Sequence, residues 1–303
     1  ASDSLYQATI PLPAYGSVLE YGVQAVAASG LYSPIKMKQL KIVKTAPVVM
    51  AATAKKSSLS RRPFVQMTAS HVAPIDTTSA LVLFWNDATP VDSLALPHLG
   101  DNVFGGEIHG NFKYMDSLYY QFAVRDHTAN PARGVSPVYA MVLGVEDFES
   151  GLDDWQVEEG GWGLETMRKR SGSYSLHESP TGDYPANAEL LVTLKRGLDL
   201  SDLTDATLSV WMMYGFTPGD VGYVEASRDG EAWSTLALPI EGAAGAFYNA
   251  QFSLCDYTGA LGSKVYLRFR FRSDATSSGP GWFIDDISIL PIATAVEREA
   301  TPP

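Results

Sequence analysis

Carboxylates in two separated stretches are the residues of this sequence most able to do chemistry. One stretch is Glu146-Asp147-Phe148-Glu149, and the other, residues 281–289, reads Gly-Trp-Phe-Ile-Asp-Asp-Ile-Ser-Ile. Because side chains alternate faces along a strand, each stretch should place carboxylates on an apolar face. The two predicted faces consist of Asp285 with Phe283, Ile287 and Ile289, and of Asp147 and Glu149 with Leu143 and Val145.

These carboxylates predict a cation site. A buried charge is tolerated only with a partner or a metal ion. Clustered acids, together with amide and backbone oxygens, are the ligands that a hard cation such as Ca²⁺ takes. We therefore interpret the stretches around Asp147, Glu149 and Asp285 as two walls of one site, and we expect a structural calcium ion there.

Strands must position these residues, because apolar residues recur with period two and no stretch makes a convincing amphipathic helix. In residues 265–271, Val-Tyr-Leu-Arg-Phe-Arg-Phe, the apolar side chains share one face. The other face carries Arg268 and Arg270, and it continues with Arg272 just after this stretch. These arginines either meet an acidic ligand or form a solvated face, and we favour the solvated face. Turn dipeptides such as Asp229-Gly230 follow at short intervals, as in sandwiches and barrels. The sequence predicts an all-β protein.

Composition limits the function classes. A length of 303 residues indicates about two domains, and 46% hydrophobic residues are typical of a folded chain. A net charge of −12 argues against nucleic acid as a partner. The single cysteine, Cys255, permits no internal disulfide, and no apolar run is long enough to form a transmembrane segment.

An internal repeat sets the predicted domain boundaries. Tyr-Gly-Val-Gln-Ala in residues 21–25, followed by Ser33-Pro34, is echoed by Tyr-Gln-Phe-Ala in residues 120–123, followed by Ser136-Pro137. We predict the C-terminal part of an immunoglobulin- or fibronectin-like module in residues 1–46 and a whole one in 47–144. A jelly roll should follow in 145–291, and a linker in 292–303. Since half a sandwich leaves an open apolar face, we expect the missing strands upstream in a longer chain.

The basic segment 53–62 has two interpretations. With Lys55, Lys56, Arg61 and Arg62 among serines, it is either a basic docking loop or a solvated strand connection. Charged runs of this kind are usually solvated, so we favour the connection.

Catalytic motifs are absent from the sequence. It contains no His-Glu-x-x-His, no Gly-x-Ser-x-Gly, no phosphate-binding glycine loop and no paired cysteines, and its five histidines are scattered singly. We therefore expect a stretch without catalytic residues, although a peptidase domain could lie upstream in a parent chain.

Residues 148–290 resemble the MAM-type jelly-roll module of secreted bacterial proteins, the kind that accompanies immune inhibitor A peptidases. The resemblance rests on Phe-Glu-Ser-Gly at 148–151, Ser-Gly-Ser-Tyr-Ser at 171–175, Asp-Gly-Glu-Ala-Trp at 229–233 and Gly-Trp-Phe-Ile-Asp-Asp at 281–286. It implies a jelly roll whose first and last strands are adjacent. It also implies a structural calcium ion held by Glu149 and by Asp285 or Asp286, with help from Asp183 and Asn187.

Two further resemblances concern the rest of the chain. The upstream repeats are similar to immunoglobulin- or fibronectin-like modules of secreted bacterial proteins. Residues 292–303 resemble the linker before a type IX sorting domain.

Together these features predict a secreted or outer-cell-surface protein region that does no catalysis and is stabilised by calcium. It would contact neighbouring domains or other surface proteins. One alternative is a carbohydrate-binding module that uses aromatic residues such as Trp155, Tyr184 or Tyr223 to bind a glycan. Another is a structural subunit of a surface layer or extracellular fibre.

Overall fold

The computed structural model describes residues 18–41, 45–51, 55–157, 161–259, 264–276 and 278–292. Within these residues the elements are strands, apart from one short 3₁₀ helix at Cys255–Tyr257. The all-β prediction is confirmed. The described strands form three groups along the chain, while the boundaries that we assigned to the domains stay predictions.

The first group is a hairpin. Strand β1 (Val18–Val23) pairs antiparallel with β2 (Lys36–Lys41), and in the described part of the chain the two form a sheet of their own. Several large apolar side chains of this hairpin and its loop are exposed, among them Leu31, Tyr32 and Met37. Residues 1–17, which we assigned to the first module, lie outside the described residues.

The second group forms an immunoglobulin-like sandwich, here called the middle module. Its strands are β3 (Val48–Ala51), β4 (Ser57–Ser58), β5 (Phe64–Ser70), β6 (Leu81–Asn86), β7 (Thr89–Ala95), β8 (His98–Gly100), β9 (Val103–Glu107), β10 (Ser117–Arg125), β11 (Arg133–Val135) and β12 (Tyr139–Leu143). One sheet has the order β4-β12-β10-β6-β7, with β11 on β10, and the other has the order β3-β5-β9-β8. Alternating side chains such as Met67, Val82 and Phe122 fill the core between them.

The internal repeat is visible in the hydrogen bonds of the first two groups. The Ser33 hydroxyl accepts the backbone N–H of Ala25 at 2.8 Å, and the Gln24 side-chain amide donates to the Ser33 carbonyl. In the middle module, the Ser136 hydroxyl and the Gln121 amide make the corresponding bonds at 3.0 and 2.7 Å. The Ser-Pro elements therefore play the same structural role in both copies.

The third group is a jelly roll. Its strands are β13 (Val145–Glu146), β14 (Trp155–Val157), β15 (Gly163–Glu165), β16 (Ser175–His177), β17 (Glu189–Leu194), β18 (Ala206–Gly215), β19 (Val221–Ser227), β20 (Ser234–Thr235), β21 (Ala243–Ser253), β22 (Tyr266–Arg272) and β23 (Gly281–Pro291). One sheet has the order β15-β16-β23-β18-β21, with β13 on β23, and the other has the order β14-β17-β22-β19-β20. The first and last strands of the jelly roll are thus adjacent, and Trp155, Phe269 and Trp282 lie in the core between the sheets.

Strand β23 departs from simple alternation. Ser288 pairs with Ser209 of β18 and Asp285 pairs with Trp211, so β23 has one extra residue between the two pairs. Asp286 takes up this bulge with φ of 42°, a left-handed conformation that aspartate tolerates better than most residues.

The bulge makes part of our prediction wrong. Ile284 before it and Ile287 and Ile289 after it all lie in the core between the sheets. Asp285 therefore does not share a face with Ile287 and Ile289, because the extra residue shifts the alternation by one position.

The middle module is joined to the jelly roll through the basic segment. The Arg61 guanidinium donates to both carboxylate oxygens of Asp202, to the Asp199 carbonyl and to the Phe112 carbonyl, and Lys55 pairs with Asp154 at 2.6 Å. Our preference for a solvated connection is wrong for these two residues, because their side chains are largely buried at the junction. Residues 52–54 lie outside the described residues.

Candidate functional site

Three of the predicted cation ligands converge on the loop between β15 and β16. One carboxylate oxygen of Glu149 accepts the backbone N–H groups of Ser173 and Tyr174 at 2.6 and 2.8 Å. One oxygen of Asp285 accepts the N–H groups of Arg170 and Ser171 at 2.8 and 3.1 Å. The carboxylates thus fix this loop through its amides.

Asp286 completes the cluster. It pairs with the Arg170 guanidinium at 2.6 Å, accepts from the Ser171 hydroxyl at 2.9 Å, and donates its own N–H to Asp285. Burial raises the pKa of Asp285 to about 6, and the nearby charge of Asp286 acts in the same direction. Five backbone N–H groups thus donate to the carboxylates of Glu149 and Asp285.

The other three predicted ligands have different partners. Asp147 accepts the Ser57 hydroxyl of the middle module at 2.7 Å. Asp183 is exposed and lines a cavity of about 210 Å³ with Glu165 and His177. Asn187 is exposed, and its N–H donates to the Asp274 carbonyl.

The predicted calcium site has no support from this geometry. Among the described residues, no group of three or more histidines, cysteines, aspartates or glutamates could hold a metal ion. Calcium takes oxygen ligands, whereas the carboxylates of Glu149 and Asp285 accept from N–H groups. The ion stays a prediction.

Two buried acids outside the predicted set of ligands also have raised pKa values. Glu146 accepts the Phe148 N–H and the Trp155 indole N–H, and burial raises its pKa to about 7. Glu178 is fully buried with one oxygen on the Trp282 N–H and the other without a partner among the described residues, and burial raises its pKa to about 8. Strand β13 ends at Glu146, so the alternation that we extended to residue 149 is interrupted.

The outer face of the five-stranded sheet carries a ladder of aromatic, arginine and glutamate side chains. Two of its residues, Arg268 and Arg270, lie on the central strand β22, where their neighbours Leu267, Phe269 and Phe271 enter the core. Strand pairing places Glu225 opposite Arg268 and Tyr223 opposite Arg270. The polar side chains of β22 therefore lie beside those of β19 on the outer face of the sheet.

Glu225 holds both arginines. One of its oxygens accepts a hydrogen bond from Arg268 Nε at 2.7 Å and lies 2.6 Å from Nη2 of the same arginine. The other accepts hydrogen bonds from Nε and Nη2 of Arg270 at 3.1 and 2.8 Å. The Arg268 guanidinium lies 4.2 Å from the centre of the Trp233 ring, and that of Arg270 lies 4.0 Å from the Tyr223 ring. Glu225 is 3% exposed, so each bond is shielded from water and the ladder is fixed in one geometry.

Only one of the three aromatic residues that we named for glycan binding lies on this face. Trp155 and Tyr184 are buried in the core, so that part of the prediction is wrong, whereas Tyr223 is half-buried on the sheet. Trp233 was not among these three; it lies in the loop before β20, where alternation gives no information.

Comparisons with known proteins concern the fold. The sequence matches no protein-family model and no curated protein sequence. Among solved structures it is similar to the carbohydrate-binding module TmCBM61 in complex with β-1,4-galactotriose, with 12% identity, a TM-score of 0.35, and coverage of 48% of this chain and 94% of that one. A family 16 carbohydrate-binding module has 14% identity and a TM-score of 0.34, with coverage of 48% of this chain and 95% of that one. The C-terminal family 22 module of Clostridium thermocellum Xyn10B has 13% identity and a TM-score of 0.33, with coverage of 50% of this chain and 94% of that one.

At these identities and TM-scores, the similarities carry no argument about the fold or the ligand of this chain. No family match supports the MAM, peptidase or type IX resemblances, which stay predictions. Among the described residues, no helix is long and apolar enough to cross a membrane.

Proposed function

We propose that this chain is a glycan-binding region of a secreted or surface protein, and that the ladder of Trp233, Arg268, Glu225, Arg270 and Tyr223 is its binding face. Sugars present both C–H patches and hydroxyl groups. A face that recognises them needs flat aromatic surface beside fixed donors and acceptors. The ladder offers both, already ordered by the bonds to Glu225.

This proposal adopts the alternative reading of the sequence over the main one. The main reading, an accessory region stabilised by calcium, depends above all on Glu149 and Asp285, whose carboxylates accept backbone N–H groups in this structure. The observation that carries the glycan proposal is the pair of arginine–aromatic stacks fixed by one buried carboxylate. The proposed function belongs to the same class as that of the carbohydrate-binding modules named above, but its support is this face.

Titration of the full chain with a panel of soluble polysaccharides tests the proposal. Tyr223→Ala and Trp233→Ala should each weaken binding about tenfold, because each removes an aromatic surface worth about 1.4 kcal/mol. Tyr32→Ala, at an exposed tyrosine of the hairpin, is the matched control and should bind as the unchanged chain does. Absence of binding across the panel, or equal binding by all three variants, would contradict the proposal.

A further inference from the structure

We infer that the glycan bound by this face is a polyanion, a polysaccharide with regularly spaced carboxylate or sulfate groups. This inference rests on the proposed function and names its ligand class. Its first support is charge: the chain has 34 acidic and 22 basic residues. The outer face of β22 and its neighbours nevertheless carries Arg268, Arg270 and Arg272 against Glu225 and Glu189.

The second support is that these arginines keep donors for a ligand. Glu225 occupies only Nε and Nη2 of Arg268, whose Nη1 has no hydrogen bond among the described residues. Nη1 of Arg270 lies 3.5 Å from Glu189, whose side chain is 58% exposed, and such a pair is weak in water. Arg272 is exposed and has no ion pair in the part of the chain that the structure describes.

The third support is that the basic face continues beyond the ladder. Tyr266 begins β22 on the same face and also lines a cleft of about 230 Å³ where the jelly roll meets the middle module. Four basic residues line this cleft, against the acidic residues Glu107 and Asp199; they are Arg62, Lys195, Arg196 and Lys264. Since a strand rises about 3.3 Å per residue, the seven residues of β22 provide a track about 20 Å long that leads to the cleft.

The chemistry of this track suits an acidic polysaccharide better than a neutral one. A guanidinium group presents a planar fork of donors that matches the two oxygens of a carboxylate or of a sulfate ester. Rings such as Tyr223 and Trp233 add contact with the sugar C–H groups. A neutral glycan would use the rings but leave the excess positive charge unpaired.

Two matched polymer pairs test the inference by titration calorimetry on the full chain: polygalacturonate with its fully methyl-esterified form, and dextran sulfate with dextran. We expect the anionic member of at least one pair to bind at least about tenfold more tightly in about 50 mM NaCl, with part of this preference retained in about 300 mM NaCl. The pair that shows the preference identifies carboxylate or sulfate as the anionic group. Arg272→Gln should weaken that binding about threefold to tenfold at an unchanged melting temperature, whereas Arg133→Gln, at an exposed arginine of the middle module, should not.

The results that overturn the inference differ from those that overturn the proposed function. If the neutral and anionic members bind equally and Tyr223→Ala weakens both, the face binds glycans without preference for charge. If anionic binding disappears in about 300 mM NaCl and Arg272→Gln equals Arg133→Gln, the attraction is non-specific charge. If the chain binds no polymer from either pair and no neutral glycan from the wider panel, both proposals are overturned.

Discussion

At the residue scale, the buried acids decide how the jelly roll responds to pH. Glu178 has a pKa of about 8 in the folded chain against 4.5 for an ordinary glutamate. Below pH 4.5 both the folded and the unfolded chain hold this proton. Above pH 4.5 the unfolded chain releases the proton first. The free energy of unfolding therefore falls as pH rises from 4.5 towards 8. Glu146 acts in the same direction.

We predict that Glu178→Gln flattens this pH dependence, because glutamine cannot ionise. From about pH 6.5 to about pH 8.5 the unchanged chain should lose about 2 kcal/mol more of its free energy of unfolding than the variant does. His177, whose pKa burial lowers to about 4, is neutral in the folded chain over this range, and its ionisation in the unfolded chain is the same in both proteins. Denaturant unfolding at several pH values measures the difference. Glu231→Gln, at an exposed position, is the control, and equal slopes for all three proteins would show that Glu178 is not protonated in the fold.

The predicted calcium ion is also tested at single residues. If calcium binds the folded chain alone, calcium must raise the melting temperature above that measured with a chelator. Asp285→Asn should then remove most of this difference. Coincident melting curves with calcium and with chelator would leave the hydrogen-bonded network of Asp285, Asp286 and Glu149 as a purely protein structure.

At the scale of elements, the bulge of β23 is sensitive to substitution. Asp286 needs a left-handed backbone, which β-branched residues adopt only at a cost. We predict that Asp286→Val lowers the free energy of unfolding by about 1–3 kcal/mol more than Asp286→Asn does. Both variants lose the ion pair with Arg170, so chemical denaturation of the two compares the backbone cost together with the Ser171 hydroxyl bond that asparagine can keep. Equal stabilities would mean that the bulge relaxes.

The same element shows what the sequence could and could not predict. Period-two alternation places the side chains of β22 correctly, because that strand is regular and pairs along its length with β17 and β19. It fails at Asp285, since an inserted residue changes the face without changing the composition of the strand. It also gives no information on Trp233 or Glu178, whose positions depend on loops and on neighbouring strands.

At the scale of the whole molecule, the junction between the middle module and the jelly roll depends on Arg61. Its guanidinium is bound to Asp202 and to two backbone carbonyls, and it lies 4.9 Å from the centre of the Tyr114 ring. These bonds tie loops of two separate cores together. The two modules should therefore unfold together.

We predict that Arg61→Ala lowers the stability of this unit by about 1–3 kcal/mol, a value reduced by the exposure of Asp202. Calorimetry of the full chain should then resolve two transitions where the unchanged chain shows one. Arg62→Ala removes the neighbouring, more exposed arginine and should leave a single transition. Two transitions in the unchanged chain would show that the junction does not couple the modules.

The adjacency of β13 and β23 has a mechanical consequence. Val145 lies opposite Ser288 in an antiparallel pair, so the chain enters and leaves the jelly roll at the same end of these two strands. A pulling force transmitted through the flanking segments would load their hydrogen bonds one after another instead of all at once. Strand β13 has only two residues, and under tension it should peel away first, exposing Glu146 and transferring the load to Arg61 and Lys55 at the junction.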